Sequence, residues 1–304
     1  MTLPDSYLLY PRRAYGMDQD RYDWRSPADR PHCVWPNEAS VAVMIVVPIE
    51  HHPLDPSGKP FKHPGAMVTP YPDLRHYTSR DYGNRVGVFR ILRCLKAAGI
   101  KATFPINASQ IERLSPLVDA ILSDGHEIAA YGMSTNHIHW GGLNPGEERS
   151  WVSEVRDIFA GHALTPRTWL SPARHQSFAT LDLLKEYGFD ICLDWEADTV
   201  PLPMRTEQGP VLAIPLSNEL DDRSLLIDRR QSEDEWADQV IEAVAYLKGE
   251  APRAGGQVAG FTLTPYVTGQ PFRIAALRRL LATLGGDRAV WAATATEIAE
   301  AQPG

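Results

Sequence analysis

The chain has 304 residues, 38 acidic and 30 basic side chains, and a formal net charge of −8. With 43% hydrophobic and 22% charged residues it has the composition of a globular protein long enough for one large domain. An acidic balance with no basic tract argues against nucleic acid as a partner, and no apolar run reaches the roughly 18–20 residues that span a bilayer.

The N-terminus, Met1-Thr2-Leu3-Pro4-Asp5-Ser6, lacks the basic-then-apolar pattern of a secretory signal, so a cytoplasmic location is expected. Cys33, Cys94 and Cys192 form no close pair, which argues against a disulfide framework or a cysteine-rich zinc site. Cys94 and Cys192 lie in apolar patterns and read as small buried hydrophobes.

Residues 1–39 are rich in Pro, Tyr and charge and show no periodicity. They read as an irregular arm packed on the body through Trp24 and Trp35. The unbroken run Val41-Ala42-Val43-Met44-Ile45-Val46-Val47 is the pattern of a strand buried on both faces. Residues 53–83 are irregular, and so long an insertion reads as a lid.

From there strands and helices alternate. Helix spacing runs over 85–98 and stops at Gly99, and a strand follows at 101–106. A helix at 116–123 and a strand at 126–130 come next. The run opened by Asn144-Pro145 is helical towards Phe159. Strands are expected at 168–170, 189–193, 211–215, 258–264 and 289–292, and helices at 180–187, 233–247, 272–284 and 295–301. Repeated strand–helix units imply parallel strands with right-handed crossovers. Seven or so units over 40–304 suit a closed or nearly closed barrel, and no G-x-G-x-x-G follows the first strand to suggest dinucleotide binding. In such a barrel the chemistry sits at the C-terminal ends of the strands.

Six polar clusters fall at those ends. Glu50-His51-His52 follows the first strand, where a carboxylate whose pKa burial had raised would suit a general base. Tyr131 to Trp140 holds His137 and His139, two residues apart, a spacing that chelates a metal only from extended chain. Ser171, Arg174 and His175 follow a strand without the G-x-S-x-G elbow of a serine hydrolase. The others are Asp194-Trp195-Glu196-Ala197-Asp198, the stretch from Asn218 through Glu219 and Asp222 to Arg223, and Thr264-Pro265-Tyr266. Before the 85–98 helix, Arg80 and Arg85 are candidates for anion recognition, with pairing to a protein carboxylate as the alternative.

Taken in order, Val43–His51, Arg80–Gly87, Gly125–Gly132, Trp169–Pro172, Asp194–Asp198, Glu219–Asp222 and Leu263–Phe272 resemble the polysaccharide-deacetylase-like (NodB-homology) superfamily. The closer match is its cytoplasmic branch of allantoinase-like and cyclic-imide-hydrolase-like proteins. The resemblance spans roughly residues 40–300 and implies an α/β fold, a distorted (β/α)7-type barrel, with hydrolysis of non-peptide C–N bonds as its chemistry.

The departures from the family pattern are specific. Metal-dependent members carry Asp-Asp after strand one and His-x-x-x-His after strand three, where this chain has Glu50-His51 and the pair Tyr131 and Thr135. Leu170-Ser171-Pro172 replaces an Arg-x-Pro motif, and Leu263-Thr264-Pro265 stands where related proteins show Leu-His-Pro.

The expectation is therefore a hydrolase of a small amide, ureide or cyclic imide with no metal and no cofactor. Glu50 is its general base, His51, His137 or His139 its acid, and Arg80, Tyr131 or Tyr266 its oxyanion donor. Arg85, His139, Ser171, Trp195, Glu219, Asp222 and Thr264 would bind substrate. A lyase, isomerase or lactone-opening enzyme on the same fold, or a non-catalytic binding protein, are the alternatives. The expected partner is a small molecule, neither nucleic acid nor membrane, and a homo-oligomer stays open.

Overall fold

The computed structural model describes residues 19–56 and 70–302. The first described strand is β1, Val41–Val46, buried on both faces as its β-branched sequence requires. On one flank it pairs in parallel with β8, Gln257–Thr262, along its whole length, from Val41 opposite Gln257 to Val46 opposite Thr262. The other flank is shared. β9, Val290–Ala292, lies beside Val41 to Val43, and β2, Thr103–Ile106, takes over at Val46.

The sheet continues through β3, Glu127–Ala130, β4, Thr168–Trp169, β5, Ile191–Cys192, and β7, Val211–Ala213, all parallel. β6, Leu202–Met204, which the sequence pattern does not announce, runs antiparallel on the outer edge of β7. The curled sheet approaches closure by irregular hydrogen bonds rather than by a strand ladder: Ser217 N–H donates to Gly260 O at 2.9 Å, and Val258 N–H to Thr199 O at 2.8 Å. This is the distorted barrel expected from the alternation.

Helices cover the outside: α1 Leu74–Tyr82, α2 Val88–Ala98, α3 Ser115–Ser123, α4 Pro145–Gly161, α5 Thr180–Glu186, α6 Glu233–Ala254, α7 Ile274–Gly285 and α8 Ala295–Glu300. Asn144 caps α4, Ser232 and Thr294 close capping boxes on α6 and α8, and the αL residue Gly99 ends α2.

Two expectations are corrected here. The stretch expected to be irregular as far as 83 becomes helical at Leu74, capped by Asp73, and runs through a π-type turn, Gly83–Gly87, directly into α2. Its apolar residues are too few for a visible period, and its closest backbone approach to the body is made by glycines. Residues 57–69 of the expected lid lie outside the described residues. The arm is fixed by Trp35, whose indole N–H donates to Gln257 O and whose ring meets Trp291, whereas Trp24 is 76% exposed. Arg21 adds a buried bridge to Asp182.

The π-type turn sits backbone to backbone on the loop after β8. A Cβ on Gly87 would lie 2.1 Å from Pro265 O, one on Gly83 2.6 Å from Tyr266 N, and one on Gly269 2.4 Å from Gly87 Cα. Gly87→Ala is accordingly expected to cost about 2–4 kcal/mol by forcing two backbones apart. Gly161→Ala, in helix α4 with nothing within 4 Å, should gain about 0.5–1 kcal/mol. Urea melts of both variants check the contrast, and equal midpoints would show that the seam can yield.

Candidate active site

Past β1 the backbone stays extended, with Ile49 bridged in parallel to Ile106. Side chains two apart on extended chain share a face, which puts Glu50 and His52 together. Both are buried, and His52 Nε2 lies 3.3 Å from Glu50 Oε2. From the end of β3, the Tyr131 hydroxyl donates to Glu50 Oε1 at 3.1 Å. From the loop after β7, Arg223 Nη1 donates to the same oxygen at 3.2 Å.

The frame around these groups is made of amides. Asn84 Nδ2, in the π-type turn, donates to Glu50 O at 2.8 Å. Buried Asn107, after β2, accepts from His51 N–H and donates to Tyr131 O, which ties the ends of β1 and β3 together.

The electrostatics differ from the expected burial-raised base. Burial does push the Glu50 carboxyl up, but Arg223, then His52 and Tyr131, outweigh it and hold the pKa at about 2. Glu50 is anionic at any working pH. Arg223 loses from burial and gains more from Glu50 and Asp221, so it stays charged. Asp221 also lies 3.7 Å from half-buried Arg174, which extends a row of alternating charges, Arg174, Asp221, Arg223, Glu50. Burial raises the phenols of Tyr131 and Tyr266, so both remain protonated donors. Both ring nitrogens of His52 face oxygens, Glu50 Oε2 and, at 3.4 Å, Thr135 Oγ1. Thr135 gives its own hydroxyl proton to His51 O, so its oxygen faces His52 as an acceptor.

His51 is a different case. Burial, with Arg113 and His52, lowers it to about 4. Arg113 Nη1 donates to His51 Nε2 at 2.9 Å, so the ring is neutral and gives its Nδ1 proton to Ser109 Oγ at 2.8 Å. A neutral, doubly engaged ring is a poor proton donor, which corrects its assignment as the acid.

Several other expected residues are engaged elsewhere. His139 is buried between Trp151 and Trp169 and bonds Glu148 at 2.9 Å, while His137 bonds Ser134 and meets Trp151 edge-on. The Arg85 side chain is 72% exposed beside Asp81, and Glu219, equally exposed, pairs with Arg229. Ser171 accepts from the Trp169 indole, and Trp195 bonds Gln176 and packs on Tyr22.

Tyr266 does reach the cluster, facing His52 edge-on and lying under the Arg80 guanidinium. Buried Asp222 accepts from Thr264 N–H at 2.7 Å and from the Thr268 hydroxyl. Arg113, Asn84 and Asn107 are groups that the sequence did not mark for the site, and it left His52 and Arg223, both inside its polar clusters, without a role.

A cavity of about 190 Å3 opens above Glu50, lined also by His52, Tyr77, Arg80, Asn84 and Arg113. That is small against the roughly 300–1,000 Å3 of drug-sized sites. A wider hollow of about 730 Å3 along α4 is lined by surface groups such as Arg149, Ser153 and Asp157 and gathers no comparable constellation.

Comparison with known proteins bears on this arrangement. Residues 75–192 match the family model described as polysaccharide deacetylase. The structure superposes on one described as "probable Polysaccharide deacetylase" from Pseudomonas aeruginosa with a TM-score of 0.77 at 22% identity, covering 91% of this chain and 97% of that one. The chain has the polysaccharide-deacetylase-like fold. An allantoinase structure with this fold gives the same TM-score of 0.77 at 23% identity, over 92% of this chain and 97% of its own. A Schizosaccharomyces pombe protein described as "Putative polysaccharide deacetylase" is 23% identical over 295 residues, 88% of this chain and 91% of its own length.

Within that fold the metal-dependent pattern needs a carboxylate and two histidines. Here the Tyr131 hydroxyl is given to Glu50, the Thr135 hydroxyl to His51 O, and a guanidinium already sits on the carboxylate. Among the described residues no three His, Cys, Asp or Glu side chains converge to hold an ion. These donors do not fit a divalent metal of the family type.

Asp222 supplies a measurable signature of the site. Burial, with Asp221 beside it, raises its carboxyl from 3.8 to about 7. The folded state therefore binds a proton that the unfolded chain has released, and this group's contribution to stability falls as pH rises from about 4 to about 7. Asp222→Asn keeps an acceptor for Thr264 and carries no such proton. Its melting temperature relative to wild type should climb across that pH window, and a difference independent of pH would remove the raised carboxyl.

Proposed function

We propose that the chain is a hydrolase of a non-peptide C–N bond in a small amide, ureide or cyclic imide, working with protein donors in place of a metal. The observation that carries this reading is the buried Glu50 carboxylate on the floor of a small cavity, held by Arg223, Tyr131 and His52. The fold shared with deacetylases and an allantoinase supports the reaction class.

In this reading Glu50 takes a proton from the attacking water as the water oxygen adds to the carbonyl carbon. At a pKa of about 2 it is a weak base while Arg223 is turned fully towards it. Negative charge developing on the substrate oxygen competes for the same guanidinium, and as Arg223 is shared the basicity of Glu50 rises. Tyr266 supplies a second donor. His52, in contact with Glu50, is the group that passes a proton to the departing nitrogen, the role the sequence had offered to His51, His137 or His139. The cytoplasmic setting expected from the sequence is part of the proposal, and no helix among the described residues is long and apolar enough to cross a membrane.

The low basicity of Glu50 also favours one other reading, a ligand-binding protein that returns its ligand unchanged. Turnover separates the two. Hydantoins, cyclic imides and linear ureides incubated with chelator-treated protein in 18O-water should yield a product carrying one solvent oxygen. Glu50→Gln should lower that rate about 10²–10⁴-fold. It should also cost about 1–3 kcal/mol of stability, because Arg223 loses a buried partner. Activity that vanishes with chelation and returns with zinc, or a Gln variant with wild-type turnover, would overturn the assignment.

A further inference from the structure

Arg80 is the most unusual charge at the cavity. It is 5% exposed, lines the cavity beside Glu50, and rests on the Tyr266 ring at 5.3 Å. Its Nη1 donates to His76 O at 2.9 Å and to Ser79 Oγ at 3.0 Å. Its Nε and Nη2 are buried and have no hydrogen-bond partner.

A buried N–H without an acceptor costs about 1–3 kcal/mol, more when the group is charged. Folded proteins leave such groups where something else completes them. What is missing is also a charge. The two carboxylates at this cavity each have a cation of their own, Arg223 for Glu50 and Arg85 for Asp81. Among the described residues no carboxylate pairs with Arg80, and Arg113 bonds only the neutral ring of His51. The sequence of 57–69 offers no acidic side chain either. Burial makes carrying this charge harder, as the lowered pKa of Arg80 records. The two unpartnered nitrogens, Nε and Nη2, are adjacent donors on one planar edge of the guanidinium, the geometry that binds a carboxylate through two parallel hydrogen bonds.

We infer that the cavity takes a small molecule bearing a carboxylate, held by Arg80 through Nε and Nη2, with its reacting carbonyl towards Glu50. This deepens the hydrolase reading and rests on it only for the second half. The substrate class becomes an N-acyl or N-carbamoyl amino acid, or the half-amide of a dicarboxylic acid, of a size to fit about 190 Å3.

Hydantoate, N-acetylglycine and succinamate test this, each paired with its neutral primary-amide counterpart and titrated calorimetrically into the full chain at low salt. At least one of the three acids should bind roughly 10–100-fold tighter than its amide, the scale of a charge-assisted bidentate contact. Arg80→Lys should reduce that ratio to about threefold or less, since an ammonium cannot reproduce the paired donors. Equal binding of acid and amide, or no binding of any of the three acids, overturns the inference, and wild-type protein alone decides this if the Lys variant does not fold. Acids that bind and are never cleaved leave the carboxylate site standing and remove the hydrolase. Cleavage of neutral imides by a protein that refuses all three acids does the reverse.

Discussion

One buried ion pair organises the open end of this barrel. Glu50 lies just past the first strand and Arg223 in the segment after the seventh, and each is the other's strongest opposite charge in a setting where an unpaired charge is costly. Their contact at 3.2 Å joins the chain after β1 to the chain after β7. The hydrogen bonds from Ser217 to Gly260 and from Val258 to Thr199 make that closure without a ladder. Asn84 and Asn107 hold the backbones on either side of Glu50, and the Asp221 and Arg174 pair continues the charge row outward. The site is thus part of what keeps the strand ends together.

The same guanidinium divides two nearby carboxyls. Glu50, bonded directly to Arg223, His52 and Tyr131, is driven down, whereas Asp222, next in sequence to Arg223 and sealed among Thr264 and Thr268, is driven up by burial and by Asp221. Environments that push neighbouring carboxyls in opposite directions are how one fold holds both an obligate anion and a group that keeps its proton near neutrality.

Much of the frame was legible because it depends on local pattern. The β-branched run of β1, the helix start at Asn144 and the stop at Gly99 are each decided by nearest neighbours. Glu50 and Tyr131 could be found because strand ends collect chemistry. His52 was within reach by the same logic, since alternation along extended chain places it with Glu50. Arg223 was not, because its partner lies 173 positions away and nothing in the acidic stretch around it marks the direction it turns. His139 misled for a complementary reason. Its partners, Glu148 and the indoles of Trp151 and Trp169, make a satisfied interior histidine from a residue that looks like a ligand in one dimension. The α1 helix and β6 escaped because each is short in apolar residues and is held by contacts far away in sequence.

The position of β1 bears on how the chain is made. Among the described residues it precedes every other strand, yet it is paired on both flanks, and its neighbours β8 and β9 are encoded more than 200 residues later. During translation its most apolar segment has only β2, at one residue, to lean on. Pairing so distant in sequence is slow, and an unpaired apolar strand invites association with other chains. A ribosome carrying the first 250 residues therefore displays a long-lived sticky strand, and the demand on chaperones should peak just before β8 emerges and fall once β9 has followed it.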